Sequence, residues 1–275
     1  MSGTLWVVAT PLGNLGDFSP RAREVLAQAD IILAEDTRRC GQLVQWAGIT
    51  ARRFLSLHEH NEEERLPDVL RMLNAGQHVA LVSDAGTPLM ADPGYHLVAA
   101  CRSQGIAVVP VPGPCAAVTA LMASGIAPYP FVFLGFLPRK TGEIQHLFSQ
   151  YAEMRATLVF FERKNRVPQA LELAHAVLGE REFCLARELT KKHEQFITGR
   201  LGQACPEATE LRGEVTCVIG PAAQMPVTPE EKVRVLVAEY AQGQPSKEVA
   251  KKVQAQVQGW SLKQIYALVL ENQAE

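Results

Sequence analysis

The chain has 275 residues, 47% of them hydrophobic and 20% charged, with a formal net charge of −2. That length gives room for two modest globular domains, and the near-neutral balance excludes a generally basic, DNA-coating protein while leaving local basic patches open. The six cysteines, at positions 40, 101, 115, 184, 205 and 217, form no CxxC pair and no disulfide-dense framework, which points to a reducing cytoplasm.

From the N-terminus, LWVVAT reads as a strand that runs into Pro11 without the basic region and cleavage site of a signal peptide. Ser19 and Pro20 form an N-cap and first helical residue, predicting a helix over 20–29. ADIILAE, a helix over 41–47, RRFLSL, a helix over 62–75, HVALVS, a helix over 95–103 and IAVVPV follow. Strand and helix alternating at this pace predict a mostly parallel sheet with helices on its faces, and wholly apolar strands agree. This is the first α/β domain, residues 1–113, ending at a hinge near PVPGPCAA.

The second domain, residues 114–221, repeats the theme with helices over 115–123, within 142–154 and over 167–178, and strands FVFLGFL and TLVFF. EFCLARELT, EQFITGRL and EVTCVIG then come close together, which predicts antiparallel pairing in a mixed sheet. The weakly polar stretch 106–137 is broken by prolines and glycines, as strand, turn and helix require and a membrane span does not. Residues 222–275 read as a proline-bearing linker, PAAQMPVTPEE, and helices over 230–240, 246–257 and 261–270. Ser246 and Ser261 are placed to cap the last two around Gly259, a helix-turn-helix-like arrangement.

In parallel α/β sheets ligands sit outside the carboxyl ends of the strands. The residues there are TPLGNLGD, Glu35 to Arg38, His58 to Asn61, Ser83 to Pro88, and Pro112 to Pro114. The first loop has only G-x-x-G, its helix starts several residues late, and no phosphate-loop lysine is present. Asp17, Glu35, Asp36, Glu59 and Asp84 are expected near the same sheet end, where a pyrophosphate would be costly. A neutral or cationic ligand suits them better, and S-adenosylmethionine, a sulfonium without phosphate, fits. His58 and His60 lack the further ligands a zinc site needs, so no metal is expected; one of them is available as a proton acceptor. Of the recurring basic pairs, Arg38, Arg139, Arg163 and Arg166 follow strands and are placed to line a cleft; the others read as solvated surface.

VATPLGNLGDFSPRA, AEDTR, HEHNE, VSDAGTPLMADPGY, PVPGPCAAVTAL, GFLPRK and ARELTKKHE, in that order, closely resemble the ribosomal RNA small subunit methyltransferase I family of the tetrapyrrole methylase superfamily, over residues 4–221. The resemblance implies a class III methyltransferase fold, two α/β domains with S-adenosylmethionine in the cleft between them, in a homodimer. It also implies 2′-O-methylation of a cytidine in the decoding region of 16S ribosomal RNA. Carried over, the cofactor would meet Pro11, Leu12, Asp84, Gly86, Thr87, Met90, Cys115 and Ala116. Cys115 stands where the family pattern PGPSA has serine, and FFERKNR departs from the more usual ESPHR while keeping Glu162 and Arg166. Arg38, Arg139, Lys140 and Arg166 would hold flanking RNA phosphates. Asp36 and His58 are the candidate general bases, with Glu59 in reserve; all three suit loop-holding hydrogen bonds equally well. The alternatives are methylation of a tetrapyrrole-like small molecule, a phosphate-nucleotide enzyme, and a non-enzymatic RNA-binding protein using the tail.

Overall fold

The computed structural model describes residues 2–209, 213–222, 228–241 and 244–274. The chain divides into a larger unit, Met1–Pro221, and a smaller one, Ala222–Glu275.

In the larger unit, β1 (Thr4–Val8), β2 (Ile31–Ala34), β3 (Phe54–Ser56), β4 (Val79–Leu81) and β5 (Ala107–Val111) form a wholly parallel sheet ordered β3-β2-β4-β1-β5. Successive strand residues face opposite sides, so each strand needs two apolar covers. Ile32, Ala34 and Val8 pack with Leu26 of α1 (Pro20–Gln28) and Val44 of α2 (Thr37–Trp46). Ile31, Leu33 and Leu5 pack with Leu73 of α3 (Glu62–Asn74) and Leu97 of α4 (Tyr95–Ser103). Each such side chain, removed from water, contributes roughly 2 kcal/mol before entropy is counted. α1 opens as the sequence predicts: the Ser19 Oγ accepts the Ala22 N–H at 3.1 Å.

α5 (Ala116–Ala123) leads to the second sheet, built from β6 (Phe131–Phe136), β7 (Thr157–Arg163), β8 (Glu182–Arg187), β9 (Gln195–Arg200) and β10 (Glu214–Ile219). Its order is β6-β7-β10-β8-β9, with β6 and β7 parallel and the other pairs antiparallel. α6 (Thr141–Ser149) and α7 (Val167–Leu178) cover one face, around Phe148, Leu158 and Phe160. α5 lies on the other, where Ala120 meets Val159 and Val218, and Leu12 from the first loop joins the same cluster.

One helix start and one helix cap differ from expectation for a local electrostatic or steric reason. α2 starts at Thr37 rather than at 41, because the Asp36 carboxylate accepts the Arg38 N–H at 2.9 Å and starts the helix there. α9 starts at Ser246 as expected but ends at Gln254 rather than at 257, and Pro245 takes the N-cap position, so Ser246 is the first helical residue rather than the cap.

The smaller unit consists of α8 (Glu230–Tyr240), α9 (Ser246–Gln254) and α10 (Leu262–Ala274) around Val233, Val237, Val249, Val253 and Ile265. Ser261 caps α10 reciprocally: its Oγ accepts the Gln264 N–H at 3.3 Å, and the Gln264 Oε1 accepts the Ser261 N–H at 2.9 Å. Of the expected linker, residues 223–227 lie outside the described residues. Among the described residues, no helix is long and apolar enough to cross a membrane.

Candidate active site

The loops that follow β1, β4 and β5 are tied to one another. Thr10 N–H donates to the Gly86 carbonyl at 2.8 Å and Gly86 N–H returns to the Thr10 carbonyl at 3.1 Å. The Thr87 hydroxyl donates to the Pro114 carbonyl at 2.9 Å. The far end of the β4 loop is held from α3: the Glu62 Oε1 accepts from Gly94 N–H at 3.2 Å, His96 N–H at 3.0 Å and Leu97 N–H at 3.4 Å. This places a buried carboxylate at the positive N-terminus of α4. Between the two anchors, Leu89 and Ala91 are left-handed at φ 69° and 75°; across the cleft, Glu188 and Thr190 are so at 50° and 66°. Strain of this kind persists only where the surrounding structure imposes it.

These loops and the second sheet enclose a cavity of about 410 Å³. Leu12, Gly86, Thr87, Met90, Cys115 and Ala116 form one wall; Phe136, Phe161, Ala186, Leu189 and Val215 form the other. Gly86 sits at φ 83°, where an added Cβ would come within 3.0 Å of the Leu12 side chain. Gly13 has another reason for its missing side chain: a Cβ there would meet the Lys191 Cγ at 2.5 Å, so the lysine stem crosses the first loop. Both cations in the wall are already paired, Arg39 with Asp84 at 2.9 Å and Lys191 with Glu188 at 3.0 Å. A cleft of mixed polar and apolar lining, with paired cations and the carboxylates Asp92, Glu188 and Glu214, suits an adenosine carrying a positive sulfonium better than a pyrophosphate. The residues present fit S-adenosylmethionine.

A second, open depression of about 450 Å³ is lined by Glu35, Asp36, Thr37, Arg38, Arg39, Ser56, His58 and Asp84, and shares Arg39 with the first. Asp36 caps α2 and accepts from the Arg38 guanidinium at 2.9 and 3.1 Å, which pulls its carboxyl down to about 2. Asp84 accepts the Asp36 N–H at 3.2 Å besides its bond to Arg39. Burial, followed by the charge of Asp84, raises the Glu35 carboxyl. The His58 N–H donates to Asn61 Oδ1 at 2.8 Å, and its Nδ1 is buried without a protein partner.

Several predicted residues are placed differently from expectation. Pro11 is buried outside the cavity wall, and Asp84 also lies outside it because its carboxylate is turned to Asp36 and Arg39. Gly86 lines the wall, but its N–H and carbonyl are taken by Thr10, so it offers shape rather than hydrogen bonds. Glu59 is exposed on a turn and lines neither depression, whereas Asp36, Arg38 and His58 share one. Arg139 and Lys140 are exposed beyond β6, and Lys140 pairs with Glu143 at 3.1 Å. Arg166 is turned inward, donating to the Pro138 carbonyl and standing 3.5 Å from Glu162, which is 1% exposed. Its guanidinium therefore holds the loop after β6 and is not offered to a phosphate.

Asp92, Glu188, Phe136 and Phe161, which the sequence does not single out, line the cavity, and so does Lys191, whose basic pair with Lys192 reads from the sequence as solvated surface. Asp92 and Lys191 stand inside motifs already quoted, MADPG and ELTKKHE, and that adjacency was the available signal. Burial first, then the Glu35 carboxylate, pushes Asp92 up to about 6.

The sequence profile of the tetrapyrrole (corrin/porphyrin) methylases matches residues 4–205. The solved structure of the methyltransferase CobJ shares the fold at 22% identity and a TM-score of 0.62, covering 83% of this chain and 98% of that one. So does uroporphyrin-III C-methyl transferase from Thermus thermophilus complexed with S-adenyl homocysteine, at 18% identity and a TM-score of 0.57, over 79% of this chain and 97% of that one. Fold, cavity and profile define an S-adenosylmethionine-dependent methyltransferase of class III architecture. Ribosomal RNA small subunit methyltransferase I of Escherichia coli is 45% identical over 98% of this chain and 96% of that protein; its counterpart in Synechocystis sp. is 41% identical over 99% of each. The chain belongs to the ribosomal RNA small subunit methyltransferase I family.

Proposed function

We propose that this enzyme methylates the ribose 2′-hydroxyl of a cytidine in the decoding region of 16S ribosomal RNA, as a cytoplasmic homodimer. The observation that carries the reading is the shared Arg39 wall: a half-open cofactor cleft lies beside a shallower depression holding Arg38 and His58. A shallow depression with an arginine 87% exposed at its rim suits a nucleotide of a larger RNA better than an enclosed macrocycle. The relatives' names support ribosomal RNA of the small subunit as the substrate class.

When bound, S-adenosylmethionine supplies an electrophilic methyl group on its sulfonium. The residues lining the cleft would hold it beside the depression, so positioning would supply much of the acceleration. His58 takes the hydroxyl proton, since it is the imidazole that lines the depression. Asp36, held near 2 by Arg38, is too weak a base at neutral pH, and Glu59 stands outside the depression. Arg139, together with Arg38 and Lys140 once they exchange their exposed pairings with Asp36 and Glu143, meets the flanking phosphates, and the Glu162–Arg166 pair positions the loop carrying Arg139 and Lys140.

The catalytic unit comprises α/β domains 1–113 and 114–221, with residues 222–275 as a helical appendage. Val118 and Met122 on α5, and Tyr129 and Phe131 at the start of edge strand β6, are exposed apolar residues that support self-association. Ribose-methylation mapping of 16S RNA, from cells lacking the protein and from cells in which it is restored, tests the proposal. One cytidine should lose and regain its mark, and an unchanged map refutes the assignment.

A further inference from the structure

The carboxylates around the cavity are not equivalent. Asp36 faces Arg38, Asp84 faces Arg39 and Glu188 faces Lys191, each at 3.0 Å or less. Glu214 is exposed at the start of β10. Asp92 differs from all of them: it lines the cavity from the β4–α4 loop, is partly buried, and has no basic partner among the described residues. Its charged neighbours are mainly acids, Glu35 after β2, Asp84 after β4 and Glu214 of β10. Arg39 of α2 and Lys191 after β8 share the cavity, but each is engaged elsewhere. The loop that carries Asp92 is anchored at both ends, through Thr10 and Glu62, so the side chain cannot retreat from the cavity by simple loop movement.

We infer that Asp92 supplies the carboxylate that balances the positive sulfonium, so that the enzyme holds its charged methyl donor in preference to the neutral thioether left after transfer. A cation completes a site that is otherwise an excess of negative charge in a poorly solvated wall. After methyl transfer the C–S electron pair stays on sulfur, the ligand becomes neutral, and the carboxylate loses its counter-charge. Product release is thereby favoured without any change in the adenosine contacts.

The shifted carboxyl makes this measurable. With a value of about 6, Asp92 takes up a proton when the cavity is empty in mildly acidic solution. A bound cation favours the ionised form and expels that proton, and a neutral ligand does not. Such a group is roughly one-tenth ionised at pH 5 and nine-tenths at pH 7, so a roughly tenfold preference of the cation for the ionised form raises affinity for S-adenosylmethionine about fivefold over that interval. Affinity for S-adenosylhomocysteine stays level.

Titration calorimetry of the full chain with each ligand, at pH 5, 6 and 7, is the test. At pH 6, buffers of different ionisation enthalpy should report release of about half a proton with S-adenosylmethionine and none with S-adenosylhomocysteine. Glu35 is raised as well, so Asp92→Asn isolates the residue: the preference for the charged ligand at pH 7 falls about tenfold and its pH dependence flattens. Affinity of Asp92→Asn for the neutral thioether stays at the native value, which also reports an intact fold. Parallel pH curves for the two ligands with the native chain, or an undiminished preference in Asp92→Asn, overturn the inference. If the variant does not fold, the proton count on the native chain decides. No RNA is present in these measurements, so their outcome is independent of the proposed ribosomal target.

Discussion

Replacing Glu62 with alanine removes one acceptor from three backbone donors at the start of α4. The bonds lost are those from Gly94, His96 and Leu97 at 3.2, 3.0 and 3.4 Å, and the residues at the first and last of these are buried. Water therefore replaces the carboxylate poorly. Losing a charged cap of this kind costs about 1–2 kcal/mol, and leaving donors desolvated adds about 1–3 kcal/mol. A combined loss of about 3 kcal/mol is expected, equivalent to a fall of roughly 6–12 °C in Tm for a unit of this size. Glu62→Gln keeps an acceptor oxygen and forfeits mainly the charge at the helix N-terminus, about 1 kcal/mol. Denaturant unfolding of the three proteins measures this as a shift in midpoint at unchanged slope. Cofactor affinity should fall in the same order, because Leu89 and Ala91 hold left-handed conformations in the loop that Glu62 anchors. If the alanine variant unfolds within about 0.5 kcal/mol of the native protein, the range of an ordinary surface change, the anchoring argument fails.

His58→Gln should lower turnover at saturating cofactor at least a hundredfold, with the affinity for S-adenosylmethionine unchanged in calorimetry; equal turnover removes His58 as the base. Asp36→Asn keeps the α2 cap and should leave turnover nearly native, where a loss matching that of His58→Gln would restore Asp36 as the base. Because Asp36 is depressed to about 2, its contribution to stability is complete above the ordinary carboxyl value of about 4 and is lost as pH falls through 2. Acid unfolding of Asp36→Asn should lack that component. Arg166→Ala leaves Glu162, 1% exposed, without its cation, and should destabilise the protein by about 3 kcal/mol in chemical denaturation; a neutral result would show that the pair is not structurally important.

Much of the architecture was legible because it rests on local pattern. Strands such as IILA are apolar on both faces, and a parallel sheet covered by helices buries both. Ser19 and Pro20 announce α1 through bonds that span three residues. The loops that gather at the cavity follow from the rule that strand ends meet ligands, and Leu12, Thr87, Met90, Cys115 and Ala116 are there. The second sheet was read as mixed because three strand-like runs are too closely spaced for helical crossovers.

The direction of each charged side chain was a different matter. Asp36 follows β2 in any reading, but its role turns on Arg38 beside it and on Asp84, 48 residues away, which accepts its N–H. Arg166 carries the same charge as Arg139 and follows a strand as it does, yet a buried Glu162 and the Pro138 carbonyl draw it inward. Asp92 stood in plain view within MADPG, and only its place in the cavity wall among Glu35, Asp84 and Glu214 gives it a task. The sequence by itself determined the layered elements and the family, because hydrophobic period, caps and ordered motifs act over short spans of chain. The tertiary structure decided which charges pair, which are desolvated and which remain free for a ligand, because those depend on groups that only folding brings within a few ångströms.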